Sequence, residues 1–164
     1  MASAAYRPSS QMQTTEPTIR VSVRDQRLDL LAGDKVLSSY PISTSRFGLG
    51  SEMGSRKTPV GRFRIGGKIG EGAPVGTVFR GRVPLRAEDP LPPGDDLILT
   101  RILWLEGLEE HNANTRERYI YIHGTNHEEE IGQAASNGCI RMKNADLIAL
   151  FDRVPLGAEV VVTT

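Results

Sequence analysis

The chain contains one cysteine, Cys139, in the turn Ser136-Asn137-Gly138-Cys139-Ile140-Arg141. A lone thiol is either a spare buried side chain or a nucleophile. A nucleophile has to be a thiolate, whereas a free cysteine has a pKa of about 8.5. A base or cation must then lie close by, with donors for the oxyanion that forms on attack. Three histidines are available, His111, His123 and His127. His111, in EEHNANTRER, and His127, in TNHEEEIG, read as exposed loop residues. His123 closes the alternating run YIYIH, in which Tyr119, Tyr121 and His123 share one face, and Gly124 follows it. A histidine at the end of a rigid strand suits a general base. Gly138 lets the backbone bend tightly, so the N–H groups of Gly138 and Cys139 can converge as an oxyanion hole. Arg141 offers a planar fork to a carboxylate. Each residue alone has a plain structural explanation; together they point to Cys139 as a nucleophile with His123 as its base.

Elements of period two have to position this pair. Ile19, Val21 and Val23 alternate with polar residues, as do Leu28 and Leu30, with turns at Asp25-Gln26 and Ala32-Gly33-Asp34. Phe63 and Ile65 repeat the pattern, and DLILTRILWLEG, RYIYIHG and AEVVVTT read as further strands. The one helix expected is NADLIALFDRVPLG. Asn144 would be its N-cap, Asp146 would sit in its first turn, and Leu147, Ile148, Leu150 and Phe151 would form its apolar face; Pro155 and Gly157 would end it. Residues 66–96 are rich in Gly and Pro and too long for an ordinary connection, so they read as a lid or binding loop. The expected architecture is mainly β, with one short C-terminal helix and a long Gly/Pro-rich loop. Residues 1–17 read as a flexible N-terminal arm.

Composition narrows the class. A chain of 164 residues fits one domain, and 38% hydrophobic residues suffice for a core. Lys+Arg and Asp+Glu are equal at 20 each and interspersed, which argues against nucleic acid and anionic membrane as partners. A single cysteine cannot form an internal disulfide. No run approaches the roughly 18 apolar residues of a membrane span, and the first residues lack a signal-peptide pattern. A cytoplasmic location is the expectation, or a periplasmic or wall location if an export leader was removed.

The motif Ile122-His123-Gly124-Thr125, followed at short range by Ser136-Asn137-Gly138-Cys139-Ile140-Arg141-Met142, resembles the catalytic signature of the L,D-transpeptidase (YkuD) family. Lys57-Thr58-Pro59-Val60-Gly61-Arg62-Phe63 and the opening hairpin are similar to further family segments, so the resemblance covers residues 18–164. It implies a sandwich-like β catalytic domain and a cysteine enzyme acting on peptidoglycan stem peptides, with no cofactor or metal. Cys139 would be the nucleophile, His123 the base, and the Gly124 carbonyl the group that orients the imidazole. Ser136 and Arg141 would shape the turn and bind substrate. Tyr121 and Trp104 are further candidate substrate contacts, Trp104 as a stacking surface. Asn137 departs from the family pattern, where histidine is frequent. The implied reaction is attack on the meso-diaminopimelate carbonyl of a tetrapeptide, expelling D-alanine. Water as acceptor makes an L,D-carboxypeptidase, the expected activity; a second stem's amine makes a 3→3 cross-linking transpeptidase. Carbapenems are the expected inhibitors. A non-catalytic wall-peptide module and a metal site built on His123, His127 and Cys139 remain alternatives.

Overall fold

The computed structural model describes residues 16–164, so the expected arm lies outside the described residues except for Glu16 and Pro17. Pro17 already belongs to the first strand. The chain runs β1 (Pro17–Ser22), β2 (Arg27–Ala32), β3 (Lys35–Ser43), β4 (Gly61–Ile69), β5 (Val78–Arg80), β6 (Val83–Pro84) and β7 (Ile98–Gly107). Then come β8 (Tyr121–Gly124), β9 (Ile140–Met142), helix α1 (Asn144–Phe151) and β10 (Glu159–Thr163), with 3-10 turns at Glu110–Asn112 and Glu128–Glu130. Among the described residues the protein is mainly β, with one short helix near its C-terminus.

All ten strands form one sheet in the order β4-β10-β1-β2-β3-β9-β8-β7-β5-β6, and an additional β4–β7 pairing closes it on itself. The alternating residues decide the inside. Ile19, Val21, Leu28, Leu30, Phe63, Ile65, Leu103, Leu105, Ile122, Ile140 and Met142 meet in one buried cluster, which Leu147, Leu150 and Phe151 of α1 also join. A smaller cluster of Phe79, Ile102 and Tyr121, with Trp104 and Cys139 against it, lies on the other face of β7 and β8.

Two expectations about local structure are corrected. Lys143 is the N-cap of α1, and its side chain caps nothing. Asn144 is the first helical residue instead. Its side chain ties α1 to the sheet, accepting from Thr100 Oγ1 at 2.6 Å and donating to the Thr125 carbonyl at 2.9 Å. Tertiary partners on β7 and just beyond β8 outcompete the local cap. The Gly/Pro-rich stretch is also not one loop. Residues 66–69 complete β4, and β5 with β6 makes a hairpin in which Arg80 pairs Val83. Gly81 (φ +56°) and Arg82 (φ +68°) turn it, both left-handed, as a two-residue hairpin with right-twisted strands requires.

Candidate active site

Strands β8 and β9 lie side by side in parallel, with Ile122 opposite Ile140 and His123 opposite Arg141. Side chains alternate faces along a strand, so Tyr121 and His123 of β8 share a face with Arg141 and with Cys139, one step before β9. Ile122 and Ile140 point the other way into the main core. The alternation that builds the core therefore also gathers the candidate site residues. Across β8, strand β7 has a register irregularity between Leu99 and Ile102, opposite Gly124 and His123, and Thr100 there has φ +80°. A bulge at this point re-aims the neighbouring side chains.

The cysteine turn is held from several sides. Ser136 Oγ donates to the Cys139 carbonyl at 2.6 Å and accepts the Gly138 N–H at 3.2 Å. One of the two N–H groups read as oxyanion donors is thus engaged by Ser136. Thr58 Oγ1 donates to the Gly138 carbonyl at 2.9 Å. Gly138 itself has φ +125°, which L side chains rarely adopt. Asn137 is exposed, and its Nδ2 donates to Asp96 Oδ2 at 3.4 Å.

The Cys139 sulfur accepts the Tyr121 N–H at 3.3 Å and donates to the Tyr119 carbonyl at 3.4 Å. Desolvation pushes its thiol up to about 11, a rise that Asp96 reinforces and the Tyr121 N–H, Arg141 and Arg118 oppose. His123 is buried and its Nδ1 donates to the Gly124 carbonyl at 2.5 Å. A carbonyl can only accept, so the proton sits on Nδ1 and Nε2 keeps its lone pair. Burial lowers the His123 pKa, with the Gly124 bond and Asp96 pulling it up and Arg141 pushing it down. Near neutrality the resting pair is therefore thiol and neutral imidazole.

Arg141 is buried beneath this face. Its Nη2 meets Asp96 Oδ2 at 3.0 Å and its Nη1 meets Glu130 Oε1 at 2.7 Å. Tyr121 is buried and its hydroxyl accepts from Arg82 Nη1 at 3.0 Å. The Arg82 guanidinium lies 4.6 Å from the Trp104 ring centroid and 5.2 Å from that of Tyr119, so the tip of the β5–β6 hairpin covers the aromatic residues beside Cys139. Trp104 is half-buried, edge-on to Tyr121 at 5.7 Å. Neither of the other two histidines bonds to the thiol, although His127 lines the cavity on the Arg141 side of Asn137. His111 Nε2 contacts the Val60 carbonyl, and His127 Nε2 donates to the Asp95 carbonyl at 2.7 Å.

Three residues at the site escaped sequence reasoning. Asp96 ends the stretch read as a lid or binding loop, but nothing in PPGDDL singles it out. Arg118 sits in a charged run. Tyr119 holds φ +58° and offers its carbonyl to the thiol; backbone strain of this kind has no sequence signal. Two cavities flank Asn137. One, of about 500 Å³, is lined by Arg46, Asp95, Asp96, Glu130 and Arg141. The other, of about 360 Å³, reaches Cys139 and is lined by Arg56, Arg118 and Tyr119.

With this geometry in place, comparison with known proteins is informative. Residues 16–162 match the YkuD family, the L,D-transpeptidase catalytic domain. YqjB of Bacillus subtilis (strain 168), whose name places it among the L,D-transpeptidases, is 49% identical over 149 residues, covering 90% of this chain and 72% of that protein. YkuD of the same organism is 29% identical over 145 residues, covering 88% of this chain and 64% of that protein. An L,D-transpeptidase from Mycobacterium smegmatis aligns with a TM-score of 0.59 at 18% identity, covering 91% of this chain and 59% of that one. The structure of L,D-transpeptidase LdtMt1 in complex with imipenem aligns with a TM-score of 0.59 at 20% identity, covering 90% of this chain and 58% of that one. The solved relatives thus share the fold and are longer than this chain. A match spanning nearly the whole chain, together with 49% identity to YqjB, establishes that the chain belongs to the L,D-transpeptidase (YkuD) catalytic-domain family.

Proposed function

We propose that the protein is a cysteine acyl-transfer enzyme that cleaves the meso-diaminopimelate–D-alanine bond of peptidoglycan tetrapeptide stems. The observation that carries this reading is the placement of Cys139 at a cavity, on the sheet face it shares with a buried His123 whose Nδ1 proton is fixed by Gly124. In the first step the thiol proton passes to His123 Nε2 as sulfur attacks the stem carbonyl. The intermediate collapses as the C–N bond breaks and the imidazolium gives its proton to the leaving amine. D-Alanine departs, and the stem remains as a thioester on Cys139. In the second step His123 takes a proton from water, the oxygen attacks the thioester, the C–S bond breaks and the thiol regains its proton. The products are a tripeptide stem and D-alanine, which makes the enzyme an L,D-carboxypeptidase acting on soluble muropeptides. The cytoplasm is the compartment we assign to it. Carbapenems, as acyl donors, would block it at Cys139.

The runner-up is a 3→3 cross-linking transpeptidase, favoured by the cavity beyond Asn137, where the Asp95 carboxylate could receive an acceptor's amino group. The test is a digest of disaccharide-tetrapeptide by purified protein, with products and intact protein mass measured. Tripeptide, D-alanine and a carbapenem adduct absent from Cys139→Ala are the expected results. Predominantly cross-linked dimer would select the transpeptidase, and native protein fractionating outside the cytoplasm would favour it too. Absence of both turnover and adduct would overturn the cysteine mechanism.

A further inference from the structure

Next to the nucleophile lies a cation that, among the described residues, makes no ion-pair contact with a carboxylate. Arg118 is half-buried and donates through Nη2 to the Lys57 carbonyl at 2.8 Å and to Ser55 Oγ at 3.3 Å, and through Nη1 to the Gly50 carbonyl at 3.2 Å. All three acceptors are neutral. They fix the guanidinium without cancelling its charge, unlike Arg141 with its two carboxylates. Among the described residues neither Arg118 nor Arg56 forms an ion pair, although both line the cavity that reaches Cys139. Glu117 lies at the same cavity, exposed to solvent. Burial pulls the Arg118 pKa down, while Cys139 and Glu52 push it up. A partly desolvated, hydrogen-bonded and unpaired guanidinium is an anion site awaiting its ligand.

The position of this charge identifies the anion. The residue expelled by an exo-acting acyl-transfer enzyme carries its carboxylate three bonds from the scissile carbonyl carbon, a span of about 4 Å. A fixed cation in the same cavity as the attacking sulfur is therefore placed to meet that carboxylate. Three of the five guanidinium N–H groups are engaged, which leaves two for a ligand. We propose that this cavity is the subsite of the leaving residue, and that Arg118, with Arg56 at its edge, binds the free α-carboxylate of the stem's last residue. The proposal rests on the acyl-transfer reading above and adds to it the residues that recognise the chain end. Stems extended or amidated at that carboxylate are poor substrates, because a neutral amide cannot compensate the buried charge.

The test uses the full chain as Cys139→Ser, which removes the sulfur and keeps the side-chain shape. Calorimetric titration compares a stem tetrapeptide bearing a free C-terminal carboxylate with the same peptide as its C-terminal amide. The acid should bind about 10–100-fold more tightly, the scale of a charge-assisted contact. Adding Arg118→Gln should bring the ratio near one. Since Arg118 also anchors the 50–57 segment, Arg56→Gln serves as the second variant and should narrow the ratio in part. Equal affinity for acid and amide, no measurable affinity for either, or a ratio that survives in a folded Arg118→Gln protein would each overturn the proposal. Failure of the acyl-transfer reading is a separate result: wild-type protein would release no D-alanine and take up no carbapenem mass. Wild-type turnover of acid and amide alike would defeat the carboxylate subsite alone.

Discussion

Thr58 and Gly138 are separated by eighty positions in the chain, yet the Thr58 hydroxyl donates to the Gly138 carbonyl at 2.9 Å while accepting the Ser45 N–H at 2.9 Å. The Lys57-Thr58-Pro59 segment thereby reaches the turn that presents Cys139. Thr58 is fully buried, so both of its partners depend on it.

Thr58→Val keeps the shape and removes both hydrogen bonds. A buried N–H and a buried carbonyl are then left without partners, at a cost of about 1–3 kcal/mol each. Melting temperature should fall, and acylation of Cys139 by a carbapenem should slow because its turn loses a restraint. An unchanged melting temperature would mean that other contacts hold the turn.

His123→Ala should lower turnover by about two orders of magnitude or more, the scale of a general base. His111→Ala and His127→Ala should stay near wild type, since their imidazoles bond to the Val60 and Asp95 carbonyls away from the thiol. A comparable loss at His127 would point to a different proton acceptor.

The resting pair has a pH signature. Because the Cys139 thiol is pushed up to about 11, iodoacetamide should label the free enzyme slowly near neutrality and faster as pH rises toward that value. His123 is shifted the other way, so its imidazole stays neutral as pH falls past the ordinary value of 6.5. In that window the unfolded chain binds a proton that the folded chain refuses. The stability gained is present above 6.5 and lost as pH falls through the lower folded value. The acid limb of kcat/KM should accordingly lie below 6.5. A labelling plateau reached before pH 8.5, the ordinary thiol range of about 8–9, would contradict this electrostatic picture.

Arg141→Lys should destabilise the protein despite keeping the charge. A guanidinium spans Asp96 and Glu130 at once, and an ammonium cannot reproduce both contacts. Breaking a fully buried pair costs about 3–5 kcal/mol. The Asp96 side chain is 26% exposed and that of Glu130 38%, so solvent screening reduces the loss to about 2 kcal/mol, or about 4–8 °C in Tm. Calorimetry of the variant measures it, and an unchanged Tm would show the pairs to be dispensable.

Much of the strand framework was legible because burial on alternate residues writes itself into the sequence: Ile19 and Val21, Phe63 and Ile65, and Tyr121 and His123 each mark one face. The cysteine turn was legible because glycine at 138 and a single thiol at 139 have few other reasons to be adjacent. What stayed hidden depends on contacts distant in sequence. Asp96, within a stretch read only as a lid or binding loop, and Arg118, within a charged run, carry no signal of their own until the fold brings them near Cys139. Asn144 looks like a cap until Thr100 and Thr125 claim its side chain. The β5–β6 hairpin was obscured because its strands are only three and two residues long, too short for a period to show.

The parallel register of β8 and β9 has an evolutionary consequence. His123 belongs to a strand and Cys139 directly precedes one, so the sheet sets their alignment. Asp95, His127, Glu130 and Asn137, which line the larger cavity, all lie in connections between strands. The alignment of His123 with Cys139 and the lining of that cavity are therefore inherited through different parts of the chain. Mutations in the connections can reshape the cavity while the strands keep the pair aligned, so a lineage of such domains can vary one without disturbing the other.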